Sequence, residues 1–159
     1  MVEVIISFGS NLGNRRENIN KAIKKISEKV EILKVSEIYR SAPQEGVSGG
    51  WFLNGVLSGK TSMKPESLLK FLRSIEIELG RPADHKKNTA RTIDLDILFY
   101  GGSIIRKRNL SIPHPELTKR KFVLKGLMQV SPNFIHPQNK ISIKRIWEEF
   151  KNESARQKK

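Results

Sequence analysis

The sequence predicts an α+β sandwich of the ferredoxin-like kind, an antiparallel sheet flanked by helices, on three observations. Strand-like and helix-like segments follow one another in the order β-α-β-β-α-β, with further helices at the end. Hydrophobic residues make up 37% of 159, enough for one buried core at a length near the single-domain mode. No linker or internal repeat divides the chain. Residues 1–159 are therefore expected to form one domain, with 151–159, KNESARQKK, as a frayed basic tail that lacks apolar anchors.

The first strand is VEVIISF, residues 2–8, β-branched and apolar, closed by Gly9-Ser10-Asn11, residues suited to a turn and a helix cap. From Asn18 to Val30, Ile19, Ala22, Ile23, Ile26 and Val30 recur at spacings of three and four and make one helical stripe. Residues 31–40 return to strand character with imperfect alternation. Residues 41–51, SAPQEGVSGGW, read as a long loop, and Phe52 to Thr61 as a strand. Pro65 to Leu79 is a helix: Pro65 suits the first turn, Leu68, Leu72, Ile75 and Leu79 form the stripe, and Gly80 stops it. A basic loop, Arg81 to Arg91, leads into the strand 92–100, which Gly101-Gly102 is expected to turn into a hairpin with Ser103-Ile104-Ile105. An irregular segment around Pro113, His114 and Pro115 precedes a helix from about Lys119 to Val130. The last amphipathic helix uses Ile143, Ile146, Trp147 and Phe150.

Composition removes several function classes. With no cysteine there is no disulfide framework, thiolate metal site or cysteine nucleophile, so any metal must take O or N ligands. No apolar run is long enough to span a membrane, and the N-terminus lacks a basic leader, which reads as a soluble cytoplasmic protein. The net charge of +14 is uneven: residues 1–80 hold 12 basic and 9 acidic side chains, residues 81–159 hold 18 and 7. Nucleic acid is one anionic partner that such a charge admits. An RNA-binding sheet, however, interleaves aromatics with its basic residues, and the chain has no such run, so no nucleic-acid partner is expected.

The most informative segment is Arg91-Thr92-Ile93-Asp94-Leu95-Asp96-Ile97-Leu98. In a strand, Ile93, Leu95 and Ile97 point one way while Asp94 and Asp96 point the other, with Cα atoms about 6.6 Å apart. Paired carboxylates are costly unless cations neutralise them, and oxygen ligands suit Mg²⁺ shared with substrate phosphates. Alone, the pair is equally well explained as an acidic face turned to water. Its surroundings favour a site: Arg81, Lys86, Lys87 and Arg91 precede it, and Arg106, Lys107, Arg108, Lys119, Arg120 and Lys121 follow. Neither a P-loop nor G-x-G-x-x-G is present. Glu76 falls at the edge of its helix's apolar stripe, a place that favours a carboxylate reaching to water over one bonded in a cleft. His114, between prolines, reads first as structural. Phe52 reads first as core packing, although Trp51, Phe52 and Asn54 beside a glycine-rich loop could also meet a flat polar ring.

Taken together, several segments resemble the 6-hydroxymethyl-7,8-dihydropterin pyrophosphokinases: Gly9-Ser10-Asn11-Leu12-Gly13, Tyr39-Arg40-Ser41-Ala42-Pro43, Phe52-Leu53-Asn54, Ile75-Glu76 with Gly80-Arg81, Arg91 to Ile97, and Pro113-His114 with Arg120 and Phe122. The resemblance runs in order from residue 9 to about 130. It implies transfer of diphosphate from ATP to the pterin hydroxymethyl group, with AMP released, in folate synthesis. Asp94 and Asp96 would bind two Mg²⁺ ions, and Arg81, Arg91 and Arg120 would meet phosphate charge. Glu76, Ile97, Ser111 and His114 would line the nucleotide site. The pterin would lie between Phe122 and Phe52, with Asn54 and the backbone of Ser41, Ala42, Pro43 and Gln44 reading its hydrogen-bonding edge. Loops 43–51 and 81–91 would act as lids, and ATP, the pterin and Mg²⁺ would be the only partners of a monomer. Asn88-Thr89-Ala90, Asn109, Pro115 and Gln44 depart from common family residues without touching the aspartate pair.

Overall fold

A computed structural model describes residues 1–42, 50–80 and 92–157. Along them run β1 (Val2–Ser10), α1 (Arg15–Ile26), β2 (Glu31–Val35), β3 (Tyr39–Ser41), β4 (Phe52–Thr61), α2 (Pro65–Glu78), β5 (Asp94–Tyr100), β6 (Ile105–Lys107), β7 (Leu110–Ile112), α3 (Lys121–Val130) and α4 (Ile143–Gln157). The main sheet is antiparallel throughout, in the order β2-β4-β1-β5, with β3 also paired to β4. With β2 and β3 counted as one interrupted strand, this is the ferredoxin-like arrangement that the element order predicts.

The interruption has a local cause. The expected single strand 31–40 breaks at Ser36, whose Oγ accepts from the Val56 backbone N–H at 2.9 Å and donates to the Glu37 carbonyl at 2.8 Å. A side chain thus stands in the backbone ladder, and pairing resumes only at Tyr39 opposite Asn54.

Two apolar clusters lie on opposite faces of the sheet. On one, Val4, Ile6, Phe8, Leu57, Leu95 and Ile97 pack against Ile19, Ala22 and Ile26 of α1 and Leu68, Leu72 and Ile75 of α2. On the other, Ile5, Val56, Leu98 and Phe99 pack against Val123, Leu124 and Leu127 of α3 and Ile143 and Ile146 of α4. The register of β1 on β5 shifts between Ile5 and Ile6, so consecutive Leu98 and Phe99 both reach the second cluster, as a bulge permits. At Gly126 an added Cβ would lie 2.6 Å from the Val56 Cγ2, and this close approach seats α3 on β4.

Three expectations change. The strand after Gly101-Gly102 does not fold back on β5: β6 pairs with β7 instead, Ile105 opposite Ile112, in a separate two-stranded ribbon. Residues 151–157 are helical rather than frayed, because α4 runs to Gln157. Its Glu, Ala, Arg and Gln residues favour a helix, and Lys151 lies 5.5 Å over the Trp147 ring one turn earlier. The helix expected from Lys119 is preceded by a 3₁₀ turn at Leu117–Lys119, and extended backbone at Arg120 delays it to Lys121.

Candidate active site

Strand pairing builds the site row by row. On the face covered by α3 and α4, Ile5 is paired with Phe99; the next row is Asp96, Ser7 and Val56 on β5, β1 and β4, and the next again is Asp94, Gly9 and Asn54. The expected alternation holds: Ile93, Leu95 and Ile97 belong to the opposite core, and Asp94 and Asp96 turn away from it. Burial and the charge of Asp94 raise the Asp96 carboxyl above its usual range, and His114, Arg73 and Arg120 pull it back. Its side chain is still 27% exposed, so a ligand can reach it.

β5 is a sheet edge, and its outer backbone groups need partners. Helix α2 supplies them at the residue between the two aspartates. The Leu95 N–H donates to Glu76 Oε2 at 2.8 Å, and the Leu95 carbonyl accepts from Arg73 Nη1 at 2.7 Å. The same nitrogen donates to Glu76 at 2.9 Å, and Arg73 Nη2 lies 3.7 Å from Asp96 Oδ1. Glu76 is only 1% exposed. The expectation that its carboxylate reaches water is therefore wrong: the position at the stripe's edge is covered by β5, whose N–H it satisfies. It fixes the aspartate strand from behind.

Beside Asp96 opens a cleft of about 260 Å³. Of the residues expected at a nucleotide, Ile97, Ser111 and His114 line it with Asp96; Arg73, Lys107, Arg108 and Asn109 complete its polar wall. Arg120 acts on Asp96 electrostatically from the start of α3. His114 Nδ1 accepts from the Glu116 N–H at 3.1 Å, so the neutral ring carries its proton on Nε2. Arg106 is spent on the ribbon, donating to Ser111 Oγ at 3.1 Å and the Ile112 carbonyl at 2.8 Å.

The other end of the row is built around Asn54. Its Nδ2 donates to Ser41 Oγ at 2.7 Å, and a Cβ added at Gly9 would come within 3.1 Å of its Oδ1. Gly9 therefore lets the Asn54 amide and the Phe52 ring lie close over the β1 backbone, between Asn54 and Asp94 in the row. Two inter-strand spacings put these residues about 10 Å apart. Phe52 begins β4 half-buried, Ala42 is exposed, and Phe122 packs on the second cluster. Trp51 is exposed under the Arg40 guanidinium, 5.0 Å away, with its carbonyl held by Arg15 at 2.6 Å.

Arg81, Arg91, Pro43 and Gln44, with most of both expected lids, lie outside the described residues. Sequence reasoning missed Arg73. Its signal was available, an arginine one helical turn before Glu76, but only the fold shows that both reach β5.

As donors for a metal, the pair offers carboxylate oxygens alone, half-exposed and repelling each other, a set that fits a hard divalent cation completing its shell with phosphate oxygens and water. Among the described residues, no group of three or more His, Asp or Glu forms a protein-only cage. Also among them, no helix is long and apolar enough to cross a membrane.

An edge strand bearing two carboxylates, a cationic cleft beside it and an α+β sandwich behind define the class: a small α+β domain whose site suits a divalent cation held together with an anionic group. The chain belongs to the 7,8-dihydro-6-hydroxymethylpterin-pyrophosphokinase (HPPK) family, whose sequence model matches residues 5–132. It is 42% identical over 155 residues to the 2-amino-4-hydroxy-6-hydroxymethyldihydropteridine pyrophosphokinase of Aquifex aeolicus, covering 98% of this chain and 94% of that one. It is also 46% identical over 148 residues to the folic acid synthesis protein fol1 of Pneumocystis carinii and 40% identical over 143 to FOL1 of Dictyostelium discoideum. These matches cover 92% and 90% of the chain, which spans only 20% and 22% of those two relatives. Among solved structures, the wild-type HPPK-DHPS of Plasmodium falciparum matches with a TM-score of 0.77 at 16% identity, over 98% of this chain and 46% of that one, a likeness of fold.

Proposed function

We propose that this chain transfers diphosphate from ATP to the hydroxymethyl group of 6-hydroxymethyl-7,8-dihydropterin, a step of folate synthesis in the cytoplasm, and that it does so as a monomer with two Mg²⁺ ions. The observation that carries the reading is the row Asp94, Gly9, Asn54: carboxylates at one end, a hydrogen-bonding amide about 10 Å away and a glycine between. A flat two-ring heterocycle with a short hydroxymethyl arm fits that length, its polar edge at Asn54 and its arm at the aspartates. Ser41 supports the Asn54 amide, the backbone at Ala42 continues the same rim, and Phe52 and Phe122 would pack on the ring faces. In this scheme Pro43 and Gln44 would add to the rim that reads the pterin, and Arg81 and Arg91 would meet phosphate charge.

In the reaction the hydroxymethyl oxygen attacks the β-phosphorus of ATP. The bond from that phosphorus to the oxygen bridging the α- and β-phosphates breaks, and AMP departs with the bridging oxygen. Asp94 and Asp96 would hold Mg²⁺, which when bound would supply positive charge against the polyphosphate. Asp96, whose carboxyl is raised by burial and by Asp94, would take up the hydroxyl proton. His114 would donate from Nε2 to the nucleotide, with Ser111 and Ile97 on the cleft wall and Arg120 facing phosphate charge. Glu76 would line the nucleotide site from beside β5, which it holds in position.

Phosphorus NMR of the purified chain with Mg²⁺, ATP and 6-hydroxymethyl-7,8-dihydropterin is expected to show AMP and a new diphosphate monoester in equal amounts. ADP would mark an ordinary kinase, and no AMP would defeat the proposal.

A further inference from the structure

Arg73 is held too firmly, and too close to Asp96, to be a solvated surface charge. One nitrogen of its guanidinium donates to the Leu95 carbonyl at 2.7 Å and to buried Glu76 at 2.9 Å. The other stands 3.7 Å from Asp96 Oδ1, and the side chain is 40% exposed, along the wall of the cleft. The planar fork cannot satisfy Leu95 and Glu76 without presenting positive charge to the aspartate.

We propose that Arg73 is a built-in counter-cation for Asp96: it occupies, electrostatically, part of the role a divalent cation takes there, and so weakens metal binding until a nucleotide polyphosphate arrives. The inference rests on the proposed metal reading of Asp94 and Asp96. Its physical basis is competition. A fixed positive charge beside one of two carboxylates already offsets their repulsion, so the first metal ion gains less and is itself repelled by the guanidinium. A polyphosphate reverses the balance, because its negative charge attracts both cations at once. The cleft therefore favours a metal that enters with the nucleotide over one bound alone. Arg73 acts through Asp96 as a positioning residue.

The test is Mn²⁺ titration followed by electron paramagnetic resonance, in low salt and without nucleotide, on the wild type, Arg73→Gln, Arg73→Met and Arg73→Lys. Removing the charge in Gln and Met is expected to tighten Mn²⁺ binding about tenfold, while Lys stays within about twofold of wild type. A purely structural role predicts the opposite order, with Met and Gln weaker because the aspartate strand is loosened, and that result would overturn the proposal. Equal affinity in all four would also overturn it. A parallel titration with a non-hydrolysable ATP analogue separates the two readings. Mn²⁺ binding by wild type there supports the metal site whatever the variants show; its absence removes the metal reading and this inference with it. Thermal midpoints identify any variant that fails to fold, and the Gln and Lys pair alone then decides.

Discussion

The two faces of the sheet use the same strands to opposite ends. On the face under α1 and α2, apolar side chains run the length of β1 and β5, from Val4 to Phe8 and from Ile93 to Ile97, and the core is closed. On the face under α3 and α4, the apolar packing stops at Ile5, Val56 and Phe99, and the same strands go on with Ser7, Gly9, Asp94 and Asp96. Period-two alternation lets neighbouring residues serve stability and chemistry separately, and the closed face holds the open one rigid. The tie is local: Glu76 and Arg73 grip Leu95, between the aspartates.

Moving a carboxylate by one residue breaks the comparison most severely. Leu95→Asp would bury an unpaired charge in the closed core and cost about 3–5 kcal/mol, enough to abolish cooperative folding by circular dichroism. Cutting the tie comes next. Glu76→Ala strands the Leu95 N–H and is expected to cost about 1–3 kcal/mol in urea unfolding, with turnover falling as the aspartates loosen. On the open face, Gly9→Ala would push a methyl against Asn54 and raise the pterin KM about tenfold, with little change in the ATP KM. The smallest effect lies at the apolar end of the face under α3 and α4. His136 packs edge-on against Phe99, and burial, helped by Arg106, lowers its pKa from 6.5. The unfolded chain then takes up its proton more readily, so stability should fall as pH drops through 6.5, by about 1.4 kcal/mol per pH unit at most. His136→Gln should flatten that slope.

Much of this was legible because it is periodic. The β1 and β4 strands, the α2 helix from Pro65 and the opposed faces of Ile93-Asp94-Leu95-Asp96 follow from spacing alone, and the element order leads to the sheet order. What spacing could not show depends on partners distant in sequence. Ser36 breaks a strand because its hydroxyl meets Val56, β6 leaves β5 because β7 offers it a ladder, and Glu76 is buried because β5 has an unpaired edge there. That Ile97, Ser111 and His114 share one cleft with Asp96 was suggested only by family resemblance, since no periodicity links β5 to the ribbon that brings Ser111 beside it.

The central claim is that the open half of one sheet face carries the chemistry while the closed face carries the fold. Measuring AMP formation and the thermal midpoint side by side for Asp96→Ala tests it most directly. The account predicts that turnover falls on the order of 10³-fold or more while the midpoint holds or rises, because the change removes one of two repelling carboxylates and no core contact. Retained turnover, or a loss of activity that only tracks unfolding, would contradict it.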